Sequence, residues 1–210
     1  EGFTQSRDHI NETLHPEYLN STVDFDGFPL ATTTEEQRYR ARLLRDHLFL
    51  NPLNDLGPHS IAAHDILSTP PLVVKTGTGP TTQAAMNQLK QEFIAARYLF
   101  NEGTQEHGSR HYADNGVKLT NTLDYPAYGL RCEFLRAAFR IAYSLLDKTA
   151  YLLNEYLQFG MREDRVTFRN LWFQNGEQKR GLRPDLQRRE NLPLRALYWL
   201  AKDLAPEDDV

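Results

Sequence analysis

The stretch ENLPLRALYWLAKDL, residues 190–204, decides the fold. Leu194, Leu197, Tyr198, Leu200, Ala201 and Leu204 recur at the spacing of a buried amphipathic helix. Pro193 suits the first turn, where its missing N–H leaves no bond unmade. A helix this apolar must pack against something large, and the sequence upstream supplies it. Phe134, Ala138, Ile141, Leu145, Leu152 and Tyr156 form one apolar stripe, and Leu135, Ala142, Leu146, Leu153 and Leu157 an adjacent one. Two stripes predict a wide-faced helix over about Tyr128–Phe159, packed on more than one neighbour.

Further out, Ala85, Met86, Leu89, Phe93, Ala96 and Phe100 predict a helix capped by Thr81 or Thr82 and stopped at Gly103. Thr33 and Glu36 have capping-box spacing, and the helix they open runs through EEQRYRARLLRDHLFL and ends before Pro52. Shorter helices are expected around Ile61–Leu67 and Arg165–Phe173. Residues 103–128 and Gln174–Arg189 read as polar loops, and Leu72–Lys75 is the only β-like fragment. The expected fold is all-α, a helical bundle of four to five main helices with long loops. The expected division is an irregular arm over residues 1–31 and one helical domain over 32–210, a fragment of a larger protein, since the chain starts without Met.

The 210 residues carry a net charge of −4, which argues against generic electrostatic binding of nucleic acid. Yet arginines outnumber lysines 18 to 6, and arginine is the side chain that grips phosphate in a fork. One cluster holds Arg38, Arg40, Arg42 and Arg45. A second holds Lys179, Arg180, Arg183, Arg188 and Arg189. Taken alone, each fits a solvated or ion-paired face. A single cysteine, Cys132, allows no intrachain disulfide and fits a reducing, cytoplasmic home. No apolar run is long enough for a transmembrane helix, so no membrane partner is expected.

Walker, HExxH and GxSxG motifs are absent. His107 and His111 are four apart but flanked by glycines, and they read as loop histidines, with no metal or cofactor expected. The NPLND loop reads as a hydrogen-bonded structural turn, with Asn54 and Asp55 as turn formers. Arg42 and His47 are separated by four residues. A histidine that moves a proton near neutral pH and an arginine that holds a phosphate oxygen together suit metal-free cleavage of RNA at a ribose 2′-hydroxyl. The bland alternative is a polar histidine near a helix end.

Four blocks together resemble the HEPN superfamily, in the bacterial branch usually found fused to tetratricopeptide repeats. They are LFLNPLNDL (48–56), AAFRIAYSLLDKTAYLLNEYL (137–157), VTFRNLWF (166–173) and ENLPLRALYWLAKDL (190–204). The resemblance implies an all-α bundle, commonly a homodimer, and a metal-independent endoribonuclease acting as a toxin or defence effector. It implies a motif of arginine, four to six residues, then histidine, usually on the last core helix, with two copies meeting across the dimer. No histidine follows His111 here, so the late motif is expected to be lost or to lie beyond the fragment. Arg42 and His47 match its spacing from the first helix. Arg180, Arg183, Arg188 and Arg189 are the expected RNA contacts. The alternative is a non-catalytic helical module that binds nucleotides or protein partners, or dimerises.

Overall fold

The structure is a computed structural model that describes residues 24–69, 79–105, 111–120, 128–187 and 190–204. His107, Arg188, Arg189, the Leu72–Lys75 fragment and most of the N-terminal arm lie outside the described residues. Among the described residues there are five α-helices and no strand. The only strand-like feature there is an isolated antiparallel bridge between Phe173 and Leu182. The all-α expectation holds. By its contacts the chain divides into two compact units, Glu1–Leu67 and Ser68–Val210.

In the first unit, α1 spans Thr34–Arg45, and Thr33 Oγ1 accepts from the Glu36 amide at 3.3 Å. The helix stops earlier than the sequence pattern implies. His47 takes a left-handed φ of 53°, and the Leu48 amide turns back to the Leu43 carbonyl at 2.9 Å. That reversal brings Phe49 into a small core with Leu43, Leu44, Ala62 and Ala63. The NPLND loop is held by two buried asparagines. Asn54 accepts from the Phe49 amide and donates to the Leu44 and Gly57 carbonyls; Asn51 donates to the Ala62 carbonyl. The helix expected over Ile61–Leu67 is a single 3₁₀ turn at Ser60–Ala62.

In the second unit, α2 (Thr81–Thr104) and α3 (Leu130–Tyr156) pack as an antiparallel hairpin. Glu92 and Lys148 join them by an ion pair at 2.5 Å. Neither Thr81 nor Thr82 caps α2; Pro80 holds the cap position and no side chain bonds the free amides. Gly103 does not end the helix. A Cβ there would lie 2.7 Å from Leu135 and 3.0 Å from the Arg131 carbonyl, so glycine is required by the close approach of α3.

A second core forms where the chain folds back over the later half of α3. Ala150, Phe168, Leu171, Trp172, Leu186 and Ala201 are buried there. Trp172 is its centre, 1% exposed, donating from Nε1 to the Phe168 carbonyl at 2.6 Å and meeting Phe168 and Tyr198 edge-on. The helix expected over Arg165–Phe173 does not form. A 3₁₀ turn at Glu163–Arg165 is followed by irregular turns. Asp147 accepts from the Phe168 amide at 2.7 Å and Asn170 from the Thr167 amide at 2.9 Å, bonds that compete with the helical ladder. The segment expected as a loop carries a one-turn α4 (Pro184–Gln187) with Leu186 buried. The last helix, α5 (Leu192–Asp203), has Pro193 in its first turn and Asn191 accepting from the Leu194 amide at 2.9 Å. Leu194, Leu197, Tyr198 and Ala201 join the core, whereas Leu200 and Leu204 remain 40% and 46% exposed.

Candidate functional site

The two residues singled out by spacing sit at the end of α1. Arg42 lies in the last turn and its Nε donates to Asp46 at 3.4 Å. His47 lies just past the turn, with Nδ1 2.6 Å from the Asn54 carbonyl oxygen. A carbonyl only accepts, so Nδ1 carries the proton and Nε2 is the basic nitrogen of the neutral ring. The histidine ring is therefore oriented by the Asn54 carbonyl, while the arginine is drawn toward the helix C-terminus. Both belong to the first compact unit. Of their neighbours, Arg40 bonds Glu36 at 2.9 Å and the Ala63 carbonyl at 2.8 Å.

The second basic cluster divides by role. Arg180 is half exposed and paired with Glu177 at 2.7 Å. Arg183 turns inward. Its Nε donates to the Leu171 carbonyl at 2.9 Å, its Nη1 reaches the Phe159 carbonyl at 3.4 Å, and its guanidinium lies 4.7 Å from the centre of the Phe159 ring. Burial lowers its pKa, partly offset by the nearby Asp185 carboxylate. Arg183 thus ties the reversal after α3 to the turn that carries Trp172. Arg188 and Arg189 lie outside the described residues.

Only one histidine of the second unit is among the described residues, His111, whose Nδ1 accepts from the Ala113 amide at 3.1 Å and caps the turn Tyr112–Asp114. Among the described residues no group of three or more histidine, cysteine or acidic side chains is placed to hold a metal ion. No helix there is long and apolar enough to cross a membrane.

Two features escaped the sequence reading. At the far end of the α2–α3 hairpin, Arg97 and Asn101 are 7% and 3% exposed. They are four residues apart on α2, so they share one face, and that spacing within the apolar stripe was the available signal. Asn101 and Gln105 both donate to Glu102, and Arg131 donates to the Gln105 carbonyl at 3.1 Å. The second feature is a bare aromatic flank on α3. Phe139 and Tyr143, 69% and 53% exposed, stack with centroids 6.0 Å apart. Beside them a hollow of about 210 Å³ opens between α3 and the end of α5.

Compared with known families, residues 73–209 match the model described as LA2681-like HEPN, well over half of the chain. The match covers both helices of the hairpin, the Trp172 core and α5, and leaves out α1, Arg42 and His47. No curated protein and no solved structure matches.

Proposed function

Since the chain belongs to the LA2681-like HEPN family, we propose that it is the HEPN domain of a metal-independent endoribonuclease of the toxin or defence type, acting on RNA as a homodimer in the cytoplasm. The family match over residues 73–209 is the observation that carries this reading. The chemistry such a site needs is small. A base must take the proton of a ribose 2′-hydroxyl, and a cation must hold the phosphate while charge builds on it. His47 offers a basic Nε2 on a ring oriented through Nδ1, and Arg42, with four residues between them, offers the cation. Arg180, Arg188 and Arg189 would meet phosphates of the RNA, while Arg183, turned inward to the Leu171 and Phe159 carbonyls, would support the fold of the second unit.

A second reading is favoured by the position of Arg42 and His47 outside the matched residues and by the capping role of His111. The domain is then a non-catalytic module that binds nucleotides or proteins, a fused tetratricopeptide-repeat domain being the partner expected for this branch. Labelled structured RNA incubated with the chain in EDTA separates the two. The nuclease reading expects fragments ending in 2′,3′-cyclic phosphate, with binding that weakens as salt rises. His47→Ala is expected to slow cleavage at least about 100-fold, the usual loss of a general base. Intact RNA with the unaltered chain leaves the binding module; full cleavage by His47→Ala removes that histidine from the site.

A further inference from the structure

Among the described residues of the second unit, no element covers the outer flank of the first half of α3. That flank carries the stacked pair Phe139 and Tyr143, and Tyr143 shares a hollow with the half-exposed Leu204 at the end of α5. The hollow between them is walled by Tyr143, Leu146, Phe168, Ala201 and Leu204, and the charged Asp147 and Arg169 also line it. A contiguous apolar patch of this kind marks an interaction surface.

The order of residues along α3 identifies the partner. Phe139 and Leu146 are seven apart, so the protruding ring and the hollow share one flank. Arg140 and Asp147 are also seven apart, share the neighbouring flank, and are both exposed with opposite charge. Asp147 gives one oxygen to the Phe168 amide at 2.7 Å, and Arg140 makes no ion pair among the described residues. The midpoint of this pair falls between Tyr143 and Ser144. A second α3 placed antiparallel across a two-fold axis at that point sets Arg140 opposite the partner's Asp147, and the reverse. The same operation brings each Phe139 level with residue 148 of the other helix, beside the hollow that begins at Tyr143 and Leu146. One two-fold therefore matches both the ring to the hollow and the cation to the anion, the condition for a self-complementary interface. We infer that this flank of α3, with the end of α5, docks against a second copy of the chain in an antiparallel α3–α3 arrangement. The inference rests on the two-chain assembly in the functional reading and specifies its surface and register.

Sedimentation equilibrium tests it without RNA. The unaltered chain is expected to be a two-chain particle at roughly 100 µM, above the dissociation constant of an interface of standard size. Phe139→Asp, at an exposed position, is expected to keep the helical circular dichroism and to associate at least about 30-fold more weakly, the loss of an interface anchor. Arg140→Asp and Asp147→Arg, each first checked for the unaltered chain's circular dichroism and urea midpoint because Asp147 also accepts from the Phe168 amide, are each expected to be monomeric alone and to pair when mixed, because only the mixture sets unlike charges opposite each other. A monomeric unaltered chain overturns the inference. So does a Phe139→Asp chain that stays paired, or a mixture of the two folded charge variants that fails to associate. A monomer that still cleaves RNA removes the interface and keeps the nuclease; a dimer that leaves RNA intact does the reverse.

Discussion

The two apolar stripes of α3 run through both its halves, and the halves have different fates. Residues 146–156 press Leu146, Ala150 and Leu153 into the core around Trp172. The first half packs closely enough on α2 to exclude any side chain at Gly103, yet its other flank leaves Phe139 and Tyr143 in water. The apolar width of the helix is the same throughout. What differs, among the described residues of the second unit, is whether the chain returns to cover it, and there it returns over the second half, through the reversal at Phe159 and the turns at 166–173. The exposed flank of the first half is the surface to which the two-chain arrangement proposed above assigns its cover. The comparison breaks if removing the cover over the second half costs no more than altering the bare flank of the first.

The sharpest form of that test is Trp172→Ala. A fully buried tryptophan at the centre of a core is expected to contribute about 3–5 kcal/mol to stability, read from urea melts followed by circular dichroism. Phe139→Ala, on the bare flank, is expected to stay within about 0.5 kcal/mol of the unaltered chain when both are measured as monomers. Equal losses at the two positions would mean that the flank of the first half is covered within its own chain.

The sequence made α1, α2, α3 and α5 legible because apolar spacing survives wherever a helix buries one side. Asp147 and Asn154 interrupt the apolar stripes of α3 in the sequence. They are the clamps that reverse the chain: Asp147 holds the Phe168 amide, and Asn154 holds both backbone groups of Met161. Nothing in a one-dimensional pattern tells a clamp from a solvated residue. For the same reason Val166, Phe168, Leu171 and Trp172 read as a helix, while side-chain bonds from Asp147, Thr167 and Asn170 fold them as turns. The site was less legible than the fold. Spacing placed Arg42 and His47 on one helix, but a positive φ at His47 puts the ring past the helix end, on the Asn54 carbonyl. A count of arginines gave no sign that Arg183 is turned inward to two carbonyl oxygens and an aromatic ring.

Asn154→Ala sharpens the comparison one level below the core. Asn154 is 6% exposed and its amide both donates to the Met161 carbonyl at 3.0 Å and accepts from the Met161 amide at 3.1 Å. It secures a reversal in which Gln158 and Gly160 both have positive φ. Removing it leaves two partly buried backbone groups without their partner, at a cost of about 1–3 kcal/mol. Hydrogen exchange should locate the loss, with amides of residues 166–173 and α5 opening faster while those of α2 keep their protection. Uniform loosening across both halves of α3 would show that the reversal is not a separable fastening.

The smallest effect expected concerns how the second half of α3 is tied to α2. Glu92 lies between Lys148 and Gln88, and its pKa is lowered first by the hydrogen bond from Lys148, then by that from Gln88, against a small opposing effect of burial. A carboxylate with a depressed pKa in the folded state stabilises at pH values above its unfolded pKa, about 4.3, and this contribution fades as pH falls through the lower folded value. The pair is largely solvated, with Lys148 43% exposed, so its worth at neutral pH is at most about 1 kcal/mol. Lys148→Met should therefore lower stability slightly at pH 7, and the gap to the unaltered chain should close in acid and in about 1 M salt, where screening acts within a few ångströms. A gap that persists at low pH would assign the loss to packing of the lysine stem on α2, making the tie between the helices apolar along its whole length and leaving the cover of the second half as the one difference between them.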